Sequence, residues 1–369
     1  MPPLGRPGRG GHGRRRRARA QGRERAGGRG GLLHSPRTRN VRGPTEQGGD
    51  PRRSARPVRE GREREGEGLS ERADEVPLLV TGASGFVGSC LLKRVPGAAA
   101  VRRAGESWEV PDEVSEGSSW IHLAGRAHVM RETAEDPECA FMVANRDMAV
   151  NAVEVAASLG VRRFVYVSSI AVYGKERGDE VLTEDSAVAP VTPYGRSKLA
   201  GEEAVQDACR SAGMPCVILR PPLIYGPGAK GNFARLLGLL GRVPGNPFGW
   251  LRSARSYLSV DSLVDALRIA AEAEGSPGIY LVADAAPTTT ADLTRSICSG
   301  LGTSSFAWPL PTGACRLGLS LLGRSETAAS LCGDLRIDAT RFAAEGWHPA
   351  ESEPGVVAMA QAYRETPWS

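Results

Sequence analysis

Along the chain, apolar and polar positions fall into two regimes. From Val76 onward, short apolar runs alternate with segments of helical period. "VPLLVTGASGFVGSCLLKRV" reads as a strand at 78–80, a glycine-rich turn and a short helix. "AAAVRR" at 98–103 suits a second strand. "SWIHLAG" at 119–125, "RRFVYVSS" at 162–169 and "MPCVILRP" at 214–221 are continuous apolar runs, as expected of strands buried on both faces. Between them, "FMVANRDMAVNAVEVAASLG" at 141–160 carries helical periodicity and closes on Gly160, a residue suited to a left-handed helix end. A further helix over 192–204, "TPYGRSKLAGEEA", has Thr192 as its N-cap and Pro193 as its first helical residue. This alternation predicts an α/β protein built on a doubly wound parallel sheet. After Pro221 the pattern is broken by Gly226, Pro227, Gly228, Pro244, Gly245 and Pro247. It then returns to a helix at 259–273 and a strand at 278–284. The expected organisation is a first α/β domain over 76–225 and a smaller C-terminal lobe over 226–369 that returns strands to it.

Residues 1–75 belong to the other regime. They carry 20 Arg and 10 acidic residues with almost no aromatics, and such a segment buries too little apolar surface to offset its ordering entropy. A disordered Arg/Gly-rich tail is expected there. The rest of the chain holds 27 basic and 32 acidic residues, so the net charge of +5 is a property of the tail alone. "GRRRRAR" at 13–19 has the chemistry to meet phosphates. Yet the chain has only four lysines against its many arginines, which points to coding bias, so nucleic acid is not the expected partner. No apolar core follows the arginines as in a secretory signal, and no apolar run reaches the ~18 residues of a membrane span. The seven cysteines are odd in number and form no CxxC pair. They read as reduced thiols of a cytoplasmic protein with no metal site.

Candidate chemistry begins at "GASGFVG". Gly82, Gly85 and Gly88 stand between a strand and a helix, where glycines let backbone approach a pyrophosphate and a helix N-terminus supplies N–H groups. A dinucleotide is therefore the expected cofactor. Near the end of the second strand stand Arg102 and Arg103, where an NAD site often has an acidic residue. These arginines suit a 2′-phosphate, which favours NADP over NAD. Further on, Ser168 and Ser169 end a buried strand, and Tyr194 and Lys198 share a helix face one turn apart. A free phenol titrates near ~10, and a nearby cation favours its ionised form, as proton exchange at neutral pH requires.

The glycine spacing, "SSIAVYG", "YGRSK" and "RPPLIYGPG" together resemble the extended short-chain dehydrogenase/reductases, the NAD-dependent epimerase/dehydratase family. The resemblance runs from about Val76 to about Tyr363. It implies a Rossmann fold over 76–225 and a substrate-binding lobe over 226–369. It also implies Tyr194 as catalytic acid/base, Lys198 as the holder of the nicotinamide ribose and Ser169 as the group orienting the substrate oxygen, with Ser168 in reserve and as a substrate contact. Phe86, Val87, Leu123, Ala124 and Gly125 would join the glycines, Arg102, Arg103, Tyr194 and Lys198 around the cofactor. Where dehydratases of the family usually carry an acidic pair, this chain has Ile170 and Ala171, which leaves epimerisation or simple redox chemistry.

"HLAGRAHVMRETAEDPECAF" at 122–141, "GPGAKGNFARLLGLL" at 226–240, "RSYLSVDSLVD" at 255–265 and "EGWHP" are similar to bacterial 4-keto reductases of UDP-sugars, of the group forming UDP-N-acetylquinovosamine. By that resemblance Arg126 and His128 edge the sugar pocket, and Asn232 and Arg255 meet the diphosphate. The implied function is NAD(P)-dependent reduction of a UDP-4-keto-6-deoxy-N-acetylhexosamine in surface-polysaccharide synthesis, with a homodimer as the family expectation. A UDP-hexose 4-epimerase with the same triad is the first alternative. A non-catalytic dinucleotide-sensing or RNA-binding protein is the second.

Overall fold

The computed structural model describes residues 78–112, 114, 117–127, 136–174, 180–272, 275–321 and 325–368. The chain divides into two units, Met1–Gly68 and Leu69–Ser369, and every described residue lies in the second. The expectations for the Arg-rich tail and for His128 fall outside the described residues.

The second unit opens with β1 (Leu78–Thr81), α1 (Phe86–Arg94) and β2 (Ala98–Ala104), which turns back through Gly105 into β3 (Ser107–Glu109). Next come β4 (Ser119–His122), α2 (Pro137–Met142), a π turn over Val143–Asp147, α3 (Met148–Ser158) and β5 (Arg163–Val167). A 3-10 turn at Ile170–Tyr173, the short β6 (Val181–Leu182), α4 (Pro193–Ser211) and β7 (Cys216–Arg220) follow. Beyond them are β8 (Ile224–Tyr225), α5 (Asn232–Leu240), β9 (Ala254–Arg255), β10 (Leu258–Ser259), α6 (Val260–Ala271), β11 (Gly278–Leu281) and β12 (Thr288–Thr289). The chain ends with α7 (Thr290–Leu301), α8 (Thr312–Leu321), α9 (Ser325–Cys332), β13 (Arg336–Ile337), α10 (Thr340–Ala343) and α11 (Ser352–Glu365).

Seven strands form the main sheet in the order β11-β7-β5-β4-β1-β2-β3. All its pairs are parallel except β2–β3. Thr81 pairs with His122 and His122 with Tyr166, so β1, β4 and β5 release the chain at one edge. The strand order reverses between β1 and β4, which is where an open α/β sheet leaves a crevice at its carboxyl edge.

Side chains of successive strand residues point to opposite faces, and the core follows that rule. Leu78, Val80, Ile121, Val165 and Val217 pack with Leu91 of α1 and Leu263 and Leu267 of α6. Leu79, Trp120, Phe164, Tyr166 and Ile218 pack on the other face with Ala152 and Val153 of α3 and Val205 of α4. Each such buried side chain contributes about 1.5–3 kcal/mol. A third cluster joins Tyr225, Phe233, Leu237, Ile297 and Met359.

Two readings of the pattern change in the structure. The helix expected over 141–160 is two α segments joined by the π turn, where the Asn145 carbonyl accepts from the Tyr166 hydroxyl (2.9 Å). The strands expected to run to 125 and 169 stop at His122 and Val167, where the chain leaves the sheet edge. Thr192 caps α4 as expected, its hydroxyl accepting from the Gly195 N–H at 3.0 Å.

Candidate active site

The glycine turn lies directly after β1. Gly82 has φ +72°, and a Cβ there would come within 2.7 Å of the Ala124 nitrogen and the Leu123 carbonyl carbon. A Cβ on Gly88 would strike the Gly82 carbonyl. The turn therefore folds tightly on itself and presses against the stretch leaving β4. Gly85 caps α1 with no side-chain hydrogen bond, and the first turn of α1 holds no acidic residue. By contrast α2, α4, α6 and α7 are capped by Asp136, Thr192, Ser259 and Thr289. A glycine-lined helix start without a side-chain acceptor fits the pyrophosphate of a dinucleotide. Phe86 and Val87 contribute backbone to this turn, while their side chains pack into the core clusters. Arg102 and Arg103 follow Val101, the partner of Thr81, so they lie just past the end of β1. Both are exposed, and Arg103 donates from Nε to the Gly105 carbonyl at 2.9 Å.

Leu123, Ala124 and Gly125 carry the chain from β4 toward α4. A Cβ on Gly125 would lie 2.6 Å from Asn145 Oδ1 and 3.3 Å from Lys198 Nζ, so this glycine links the cofactor turn to the Tyr–Lys helix. Asn145 is fully buried. Its Oδ1 accepts from the Arg126 N–H (2.8 Å), and its Nδ2 donates to the Arg126 carbonyl (3.0 Å) and to Ser197 Oγ (2.8 Å). It pins the loop after β4 to α4. Sequence reading missed Asn145, although "VAN" within an otherwise apolar helix was its signal. The Arg126 guanidinium lies 5.3 Å from the centre of the Phe141 ring, which meets the Tyr194 ring edge-on at 6.2 Å. Phe141, also missed, thus joins Arg126 to the predicted acid/base.

Ser169, Tyr194 and Lys198 do come together. Ser169 stands at the start of the 3-10 turn, where its Oγ accepts from the Ala171 N–H at 3.2 Å. Its hydroxyl also faces the Tyr194 phenol closely enough to favour the ionised form. Burial pushes the Tyr194 phenol up, and the Ser169 hydroxyl pulls it back. Lys198 is 5 % exposed, and its Nζ donates to the Val167 carbonyl at 2.9 Å and lies 4.9 Å from the Tyr166 ring centre. Desolvation pulls the ammonium down to about 8, against an upward pull from Glu202. The Ser168 hydroxyl is buried beneath, with no hydrogen-bond partner among the described residues.

The remaining predicted residues sit on other elements. Asn232 is the exposed first residue of α5, and Arg255 lies on β9 and donates from Nη1 to the Gly333 carbonyl at 3.1 Å. A separate open cavity of about 630 Å³ is lined by Thr289, Asp292, Arg295 and Glu351, with none of the triad. Among the described residues no group of His, Cys, Asp and Glu could hold a metal, and no helix is long and apolar enough to cross a membrane.

Comparison with known proteins agrees with this geometry. The NAD dependent epimerase/dehydratase family matches residues 109–283. A UDP-glucose 4-epimerase of Vibrio cholerae is 31 % identical over 312 residues, covering 78 % of this chain and 95 % of that protein. Among solved structures, RMD from Pseudomonas aeruginosa complexed with NADPH shares the fold with a TM-score of 0.59 at 20 % identity, covering 78 % of this chain and 99 % of that one. The Bordetella bronchiseptica enzyme WbmG in complex with NAD and UDP does so at 0.60 and 16 %, covering 81 % and 97 %. With a sheet-edge glycine turn, a gathered Ser–Tyr–Lys set and a relative aligned over nearly its whole length, the chain belongs to the NAD dependent epimerase/dehydratase family of enzymes.

Proposed function

We propose that the protein is an NAD(P)-dependent oxidoreductase acting on a nucleotide sugar, a 4-keto reductase of a UDP-4-keto-6-deoxy-N-acetylhexosamine in surface-polysaccharide synthesis. The observation that carries the reading is the buried Lys198 ammonium, donating to the Val167 carbonyl one turn from Tyr194, with the Ser169 hydroxyl acting on that phenol, at the sheet edge shared with the glycine turn. When bound, a nicotinamide supplies the hydride for the keto carbon. Tyr194, kept a neutral phenol by burial, is poised to give its proton to the oxygen that gains charge. Ser169 orients that oxygen. Lys198 spends one N–H on Val167 and keeps the others for the ribose hydroxyls. Gly82, Gly85 and Gly88 with the start of α1 hold the pyrophosphate, and Arg102 and Arg103 favour a 2′-phosphate and hence NADP. Ile170 and Ala171 open the 3-10 turn without an acid or base for water elimination. Arg126, Ser168, Asn232 and Arg255 are proposed to line the path of the sugar nucleotide.

The Vibrio cholerae relative favours a second reading, interconversion of UDP-hexoses by the same triad. One experiment separates them. The purified protein is mixed with NADPH and a UDP-4-keto sugar, and nicotinamide absorbance is followed. Stoichiometric NADPH consumption is expected; UDP-hexose interconversion without net consumption would establish the epimerase instead. A parallel titration should show NADPH binding more tightly than NADH.

A further inference from the structure

The helix that carries Tyr194 and Lys198 has a third charged residue on the same face. Glu202 follows Lys198 by four positions, one helical turn, and is 1 % exposed. Its two oxygens accept from Nε and Nη2 of Arg220 at 2.9 and 2.5 Å. Arg220 in turn donates from Nη1 to the Tyr173 hydroxyl at 2.7 Å, with its guanidinium 5.0 Å from the Tyr173 ring centre. We propose that Glu202, clamped by Arg220, is a positioning residue whose carboxylate holds Lys198 in its ammonium form. The proposal rests on the reading of Tyr194 and Lys198 as the working pair.

A buried ammonium is disfavoured unless something opposes desolvation. At Lys198 the direct contacts are a neutral carbonyl and an aromatic ring. The other titratable groups on the packed elements do not supply a buried negative charge. Burial keeps Tyr166 and Tyr173 protonated. Desolvation lowers His122 to about 3, so it is a neutral imidazole. Asp147 of the π turn and Glu138 of α2 are exposed and paired with Arg146 and Arg196. Glu202 remains, and its pull on Lys198 is upward. The bidentate clamp fixes the carboxylate one turn below Lys198, since a guanidinium does not lose its charge.

The test uses the full-length protein labelled at lysine Cε. The chain has only four lysines, and Lys198→Met identifies the signal. In the wild type, the Lys198 midpoint should fall between roughly 7 and 9, at least a unit below the ordinary lysine value. A midpoint below that window would overturn the proposal without any further variant. Glu202→Gln keeps the shape and removes the charge. It should lower the midpoint by roughly one pH unit, a tenfold change in the ammonium-to-amine ratio. The alkaline limb of keto-sugar reduction should move by the same amount. A folded Glu202→Gln protein with an unmoved midpoint would refute the idea, because a merely structural carboxylate would change melting temperature and not this titration. The lysine signal needs no substrate. Failure to reduce any nucleotide sugar would therefore count against the proposed function while the midpoint still decides the role of Glu202.

Discussion

Two buried cations flank Glu202, Lys198 one turn before it on α4 and Arg220 across from it on β7, and the fold treats them in opposite ways. Arg220 meets a bidentate carboxylate and a phenol. Lys198 has a backbone carbonyl and a ring, with Glu202 a full helical turn away. The first is a closed arrangement in which every strong partner is satisfied. The second leaves a buried charge with a single hydrogen-bond acceptor to oppose its desolvation.

The contrast predicts opposite outcomes for the two positions. Lys198→Met should cost roughly a hundredfold or more in turnover. It should leave thermal stability unchanged or raised, because a lysine lowered from 10.5 to about 8 costs about 3 kcal/mol of folding free energy at neutral pH. The folded state sheds this proton first, so the wild type should gain stability as pH rises from 8 to 10.5. The variant should lack that gain in denaturant titrations. Arg220→Met should behave in the reverse sense, losing about 3–5 kcal/mol by stranding Glu202. Replacing both partners with apolar residues should restore much of that loss. If both single variants lost stability equally, the distinction between the two cations would fail.

A smaller effect belongs to His122, which lies in the same buried layer with Thr81 Oγ1 at 3.0 Å from its Nδ1. Its folded value of about 3 lies below the unfolded 6.5. Stability is therefore complete above 6.5 and lost as pH falls toward 3. About 2 kcal/mol should disappear between pH 6.5 and 4.5. His122→Asn should flatten that slope in thermal melts across the same window. Smallest of all, Thr192→Ala should cost about 1 kcal/mol by removing the α4 cap, read by chemical denaturation.

What could be read from the sequence was local. β1, the glycine turn, β5 and the Tyr194–Lys198 spacing each depend on neighbours within a few positions, and periodicity or residue type exposes such patterns. Asn145 was hidden because its place depends on a π turn and on partners far along the chain, Arg126 of the loop after β4, Ser197 of α4 and Tyr166 of β5. Glu202 and Arg220 were hidden for a similar reason: they lie 18 positions apart on a helix and a strand, and only the packing of α4 on the sheet joins them. The two-residue pairings β8–β10, β9–β12 and β6–β13 are likewise too short to leave a period in the sequence. The family match begins at residue 109, beyond the glycine turn, so that turn is best read from its backbone geometry.

The account stands most directly on Tyr194. Tyr194→Phe keeps the ring that packs on Phe141 and removes only the hydroxyl. Dinucleotide affinity and single-turnover reduction of a UDP-4-keto sugar should be measured side by side. The account predicts affinity close to wild type and a turnover lowered by roughly 10²–10⁴. Near-normal turnover in a variant that still binds the cofactor would contradict it.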